Sequence, residues 1–430
     1  MKQSLVLGVA GLVCGAALLA SPARSADPAV KRGAAPAGAT ARDGAPNRFD
    51  FPEFIDTGNG RVEHVMGGAV VSGYGGNYPV LGPQRQGAIG GYGGVPGRDA
   101  DGNLYFSNHN LNRVTAVING RIAMLAGTGA RGFTDDCPAG EALFDIRPYM
   151  LHGCCAVGSP AAGKGAVFVV DNQRIRRIWR KNGVWWVDTY AGGGDKVLAV
   201  GDKAPARTLK LNLTDHAVCE DRAHPGVVLT LDSPGVKQGA AAGLLRITAD
   251  GMAEKIAVPA EFRGQGLQTD AQGRLYGWMR EFNFLRYDLK TRKVDVLAVD
   301  NPPDRQAILA EMVKKYGKVD GSQWDGPADM CEWFCPAMWT ISPSGDVLYA
   351  GGGDDWGLRR VKGGFVKTLF SDGKFHIRQA VKGPAPAMLN FGAPWWVDAN
   401  GAVFWGAGPY MGSNCVVRYL AGESSEAEGE

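Results

Sequence analysis

Short apolar runs separated by glycines organise most of this chain. A glycine, one further residue and an apolar pair recur six times. The pairs are Leu104-Tyr105 after Gly102, Val167-Phe168 after Gly165, Val228-Leu229 after Gly226, Leu275-Tyr276 after Gly273, Val347-Leu348 after Gly345 and Val403-Phe404 after Gly401. A short strand-like segment precedes each glycine, as at 337–341 or 393–397, and an apolar strand, an arginine-bearing segment and a third run follow it. In the first unit these pieces are 104–107, 113–118 and 121–126. Such a unit is a four-stranded antiparallel meander with glycine at the turns, which is the blade of a β-propeller. The pattern therefore predicts an all-β chain, a six-bladed β-propeller over residues 49–422, with a seventh unit left open.

The glycine spacings of 63, 61, 47, 72 and 56 residues exceed the ~40–50 of compact propeller repeats, so long connections are expected between strands. Residues 61–68 look like the blade-closing run 121–127 with no blade before them, while the last unit stops after a third strand at 416–420. Circular closure answers both: the N-terminal strand completes the last blade and leaves no open sheet edges. Three stretches fall outside the repeat. Residues 27–48 form an Ala-, Pro- and Gly-rich leader, 302–333 an insertion between blades four and five, and 423–430 an acidic tail. The insertion holds the chain's best helical periodicity, with Ile308, Leu309, Met312 and Val313 as its apolar positions, and a helical excursion is expected near 303–317.

Blades one and two resemble the NHL repeat family. The resemblance rests on Asp101 to Asn108, Asn112-Arg113-Val114 and Gly127-Thr128-Gly129 in the first, and on Val167 to Asn172, Arg174-Ile175-Arg176 and Gly192-Gly193-Gly194 in the second. It is clear over 95–210, while blades three to six rest on the turn glycine and strand order.

Composition adds an address. The chain has 430 residues, 45% of them hydrophobic and 63 of them glycine without a collagen period, which suits a globular protein of many turns. Lys2, an apolar run from Leu5 to Ala20 and the small residues around Ala23 and Ser25 read as a signal peptide over 1–26. The run is shorter than the ~20 residues of a spanning helix. A periplasmic or secreted product is expected, with no membrane insertion after cleavage. Losing Lys2 and Arg24 leaves 44 basic against 43 acidic side chains, which argues against nucleic acid as a partner. Of eight cysteines, Cys14 goes with the signal and seven remain. An oxidising compartment would pair most of them, with a Cys154-Cys155 bridge, bridges to neighbouring blades near Cys219, and a Cys331–Cys335 loop as the options.

Propeller ligands usually bind where loops enter the innermost strands. The residues at that offset are Tyr92, His152, His216, Arg263, Cys335 and Phe391. Two histidines at one level could hold a divalent metal such as zinc. His109, Cys335 or Asp215 would be the third ligand, Arg263 an anion contact and Tyr92 an acid or base. Among NHL-type propellers the peptide-amidating lyases resemble this plan. Gluconolactonase-like propellers imply a cation, calcium for example, near Asn108, Asp171 and Asn172, positions where the NHL pattern equally places turns. Trp339 and Trp395 at strand starts could line a channel for a glycan. No haem-attachment, nucleophile-elbow, phosphate-loop or His-Glu-x-x-His motif is present. Two functions follow: binding of a protein, peptide or glycan at the channel mouth, or a metal-dependent lyase or hydrolase.

Overall fold

The repeated glycine is the pivot of each blade. Gly102, Gly226, Gly273, Gly345 and Gly401 have φ between 75° and 91°, the left-handed region that glycine enters without steric cost. Three residues earlier stand Asp99, Asp270, Ser342 and Asp398, whose carbonyls accept the N–H of Gly102, Gly273, Gly345 and Gly401 at 3.0–3.2 Å. Their side chains hold the rest of the turn. Asp99 Oδ1 accepts from the N–H groups of Asp101 and Asn103 at 3.0 and 2.8 Å, and Asp270 Oδ1 from those of Gln272 and Arg274 at 3.0 Å. Tyr105 and Tyr276, from the following strands, donate their hydroxyls to Asp99 and Asp270 at 2.8 and 2.9 Å. The turn is thus written as Asp-x-x-Gly, with a tyrosine three residues on in blades one and four.

A computed structural model describes residues 47–48, 55–56, 60–67, 69–70, 82–83, 95–109, 111–147, 153–213, 217–232, 243–259, 266–278, 284–298, 310, 314, 326–327, 339–351, 357–371, 390–398, 400–408 and 415–421. Six antiparallel sheets form the blades of a propeller. From the channel outward, blade one is Gly97–Arg98, Leu104–Asn108, Arg113–Ile118 and Arg121–Ala126. Blade two is Cys154–Ser159, Lys164–Asp171, Arg174–Lys181 and Val184–Ala191, and blade three Val218–Glu220, Val228–Asp232, Gly243–Ile247 and Met252–Ala257. Blade four is Gln268–Thr269, Arg274–Trp278, Phe284–Asp288 and Val294–Ala298, and blade five Trp339–Ile341, Val347–Gly351, Gly357–Lys362 and Phe365–Ser371. Blade six is Asn390–Val397, Val403–Gly408, Cys415–Ala421 and the N-terminal strand Gly60–Gly67. That last strand runs antiparallel to Cys415–Ala421, with Gly60 opposite Ala421 and Gly67 opposite Cys415. The ring is closed as the sequence pattern requires.

The blades are larger than the four-strand unit. Five of the six sheets have a fifth, outermost strand: Gly82–Pro83, Cys137–Pro138, Lys203–Pro205, Gly326–Pro327 and Ile55–Asp56. All but Ile55–Asp56, which forms a hairpin with Gly60–Gly67, belong to the chain segment that precedes their blade, so a connection first edges the next sheet and then crosses to the channel. This accounts for the wide glycine spacings. Blade four, reached by the shortest spacing of 47, has four strands among the described residues. Of the insertion, Ala310, Lys314 and the strand Gly326–Pro327 are described; Ala310 and Lys314 are helical and exposed.

Strand alternation sends apolar residues to both faces of every sheet, and those faces meet between blades. Tyr105, Phe168, Val169 and Val228 belong to one continuous buried cluster running from blade one to blade three. Trp339 of blade five meets Phe284 of blade four edge-on at 4.7 Å, and Trp396 of blade six stacks on Phe404 at 4.6 Å and reaches the cluster of Leu104 and Phe106 in blade one. Asp171 and Asp232, at the ends of the second strands of blades two and three, accept the backbone N–H of Asp145 and Asn212. They pin the connections that lead into the next innermost strand.

Candidate functional site

The innermost strands converge on a cavity of about 110 Å³. Its walls are 95–98 of blade one, 154–156 at the start of the innermost strand of blade two, 218–220 and Arg222 of blade three, 267–269 of blade four and Trp396 of blade six. Blade three shapes it most. Its turn carries two extra residues between Asp221 and Gly226, and Arg222 stands in the widened part. Asp221 steadies that turn by accepting the N–H of Ala223 at 3.1 Å and bonding His224 Nδ1 at 2.9 Å.

Three residues with charged side chains line the cavity, Arg98, Glu220 and Arg222, beside Cys154, Cys155 and Cys219. The Arg98 guanidinium lies 5.7 Å from the centre of the Trp396 ring, within cation–π range. Arg222 lines the cavity and is exposed. Loss of hydration lowers its pKa; Glu220 and Asp270 pull it back up, and the charge of Arg98 opposes them. It stays a cation at neutral pH. Burial raises the Glu220 carboxyl, against the lowering effect of the Gly226 N–H and of Arg222. The remaining polar groups are engaged. Gln268 donates to the Trp339 carbonyl at 3.5 Å and accepts from Thr340 and Ile341 at 3.2 and 3.3 Å, and the Thr269 hydroxyl donates to the Glu220 carbonyl at 2.8 Å.

The cysteines correct an expectation. Cys137, Cys154, Cys155 and Cys219 are unbridged. Cys154 and Cys155 are consecutive on a regular strand, opposite Val169 and Phe168, so their side chains leave on opposite faces and no vicinal bridge forms. Burial pushes the Cys154 thiol up to about 12 and raises Cys155 and Cys219 as well. A thiol so raised carries almost no thiolate at neutral pH. Native protein is therefore expected to resist iodoacetamide at about pH 8 at these three positions. The chain unfolded without reductant takes label at all three; peptide mapping that finds them labelled in the native state, or blocked in the unfolded one, contradicts this. Cys331 and Cys335 lie outside the described residues.

So do Tyr92, His152, His216, Arg263 and Asp215. Phe391 and Trp395 fall on the innermost strand of blade six, and their side chains are not described. Trp339 starts the innermost strand of blade five, but its ring is fully buried against Phe284 and shows no surface to the channel. Asp171 pairs with Arg176, Asn172 takes a left-handed turn conformation at φ 55°, and Asn108 accepts the N–H of Leu111. Among the described residues no three His, Cys, Asp or Glu side chains gather closely enough to hold a metal.

The residues ten before each glycine, thirteen in blade two, do not include Arg98, Glu220 or Arg222. The signal was available nearer the turn: Arg98 stands just before the turn aspartate Asp99, and Arg222 just after Asp221, in the turn lengthened by two residues.

No protein-family model matches the chain, and no curated protein sequence matches it. Solved structures similar to it include an auxiliary nutrient binding protein from Bacteroides thetaiotaomicron, at 12% identity over 84% of this chain and 76% of that one, with a TM-score of 0.46. A gluconolactonase from Xanthomonas campestris matches at 11% identity over 88% and 95%, with a TM-score of 0.42. Virginiamycin B lyase from Staphylococcus aureus matches at 10% over 76% and 79%, with a TM-score of 0.35. None of these likenesses bears on the chemistry of this chain.

Proposed function

We propose that this protein is an exported, NHL-like propeller that binds a protein, peptide or glycan by taking one projecting group of it into the central channel. The cavity among the innermost strands carries this reading. At about 110 Å³ it is smaller than the 300–1,000 Å³ of pockets that enclose a whole drug-sized ligand, and close to the ~150 Å³ that holds a benzene-sized group. It therefore suits the tip of a larger ligand. The apparent signal peptide supports an encounter outside the cytoplasm.

A peptide and glycan array probed with the mature protein tests the reading when paired with a plugged variant, Glu220→Phe, which puts a ring where a half-buried carboxylate lines the cavity. Hits lost in the variant, with its melt intact, support channel binding. Hits that persist place the ligand elsewhere.

The lyase or hydrolase alternative, with His152 and His216 as metal ligands, Arg263 as anion contact and Tyr92 as acid or base, makes a separate demand. Elemental analysis of purified protein is expected to find no stoichiometric zinc or calcium. One equivalent of metal, lost in the His152→Ala, His216→Ala double variant, would replace the binding reading with the enzymatic one.

A further inference from the structure

We propose that the channel cavity recognises a carboxylate, held between Arg98 of blade one and Arg222 of blade three, on a ligand whose remainder is uncharged. The proposal rests on the channel-binding reading and names the chemistry of the group that enters.

Several arginines of the propeller pair with carboxylates, while Arg113 and Arg180 donate to carbonyls and Arg174 lies over the Phe133 ring. Arg176 pairs with Asp171 at 2.9 Å, Arg177 with Asp188 at 2.6 Å, Arg274 with Asp270 at 2.6 Å, Arg286 with Asp295 at 2.8 Å and Arg418 with Glu63 at 2.7 Å. Neither Arg98 nor Arg222 has an ion pair or a side-chain hydrogen bond to a described residue, although they come from different blades and repel one another. Two guanidiniums against the single carboxylate of Glu220 leave the cavity with net positive charge, and an anion between the arginines offsets it. With Gln268 and Thr269 already bonded, the guanidiniums are the donors on offer.

The surroundings narrow the anion to a carboxylate. Val95, Leu267 and Trp396 give the cavity apolar walls, and a planar guanidinium donates in the fork geometry that a carboxylate accepts. Glu220 shares the cavity and discriminates against more highly charged groups: a phosphate ester, at −1.5 to −2 near pH 7, would sit beside a carboxylate. A single negative charge together with Glu220 balances the two arginines. The free C-terminus of a peptide and the carboxylate of an acidic sugar offer the same chemistry.

Titration calorimetry on the mature chain separates these sources with matched probes: trialanine against its C-terminal amide, glucuronate against glucose, and inorganic phosphate. One carboxylate is expected to bind, with its neutral partner and phosphate at least roughly ten-fold weaker, and the responding pair identifies the source. Arg98→Gln and Arg222→Gln should each weaken it by roughly ten- to a hundred-fold. Neither substitution breaks a described bond, so both ligand-free melts stay near the wild type; should one fail to fold, the Lys variants replace it with partial affinity expected. Glu220→Gln should tighten binding. Equal affinity for charged and neutral partners, no response from any carboxylate, or a ligand indifferent to both Gln variants overturns the proposal. A ligand lost on plugging with Glu220→Phe yet indifferent to the Gln variants keeps channel binding while removing the carboxylate; one indifferent to the plug as well removes both.

Discussion

A chain that begins at Ala69, lacking the strand Gly60–Gly67, is expected not to fold. That strand supplies the fourth position of blade six and is the piece that turns an open row of blades into a ring. It faces Cys415–Ala421 along its whole length, and Val62, opposite Tyr419, is fully buried. Glu63 accepts from Arg418 Nε and Nη2 at 2.8 and 2.7 Å across a sequence separation of 355. Burying a valine contributes ~1.5–3 kcal/mol and each ladder hydrogen bond ~1 kcal/mol, so losing the strand removes most of a typical 5–15 kcal/mol stability. It also leaves Cys415–Ala421 as a bare edge, a template for pairing with other chains. Size-exclusion chromatography and a thermal melt should show aggregate without a cooperative transition, and a synthetic peptide of residues 55–70 added during refolding should restore monomer. Glu63→Ala alone removes a partly exposed pair and should cost about 1 kcal/mol or less. A truncated chain that melts within a few degrees of the full one would show that closure contributes little.

That strand was legible in the sequence because a residue pattern with no blade before it and a last blade with no fourth strand can be matched on paper. The Asp-x-x-Gly turn was half legible. The glycine stands out because a left-handed φ admits few other residues, whereas the aspartate three positions earlier acts through bonds to N–H groups two and four residues on, and Ser342 can take its place in blade five. The fifth strands were not legible. Cys137–Pro138 and Gly326–Pro327 are two residues long, with a proline in each, and become strands because the outer edge of the next sheet is there to pair with.

The cavity was harder to read for a geometric reason. Its charged residues come from blades one and three, 124 positions apart at Arg98 and Arg222, and nothing local to either says that the other is near. Only once the blades are placed around one axis do Arg98, just before its turn aspartate, and Arg222, just after its own, come to line one cavity. The cysteines failed in the opposite direction. Their number and an export signal suggested bridges, but a regular strand sends Cys154 and Cys155 to opposite faces, and both are consumed as small apolar residues in the packing of blade two.

Asp171→Ala should be the most damaging single substitution in blade two, at about 3–5 kcal/mol. Arg176 is fully buried, donates to Asp171 at 2.9 Å and to the carbonyl of Thr134, and lies over the rings of Phe133 and Phe144 at 4.8 and 5.5 Å. Removing the carboxylate leaves a buried guanidinium that cannot shed its proton, because an arginine stays charged in proteins, with the partly exposed Asp135 at 3.8 Å as its remaining carboxylate. The same change takes the acceptor from the Asp145 N–H, in the connection that leads toward the innermost strand of blade two, so amide exchange at Asp145 should speed up with the loss of stability. Asp171→Asn keeps an oxygen in place and should cost clearly less. Arg176→Met in the Asp171→Ala background should recover part of the loss, since the stranded charge goes while the apolar volume between the two phenylalanines is refilled. Arg131, which bonds Asp145 from the solvent side at 2.5 Å, provides the contrast: it is mostly exposed, and Arg131→Ala should leave the denaturation midpoint near that of the wild type. Equal midpoints for Asp171→Ala and Arg131→Ala would mean that the buried pair is no stronger than the surface one, and that the connection into blade two is held by its backbone and apolar packing instead.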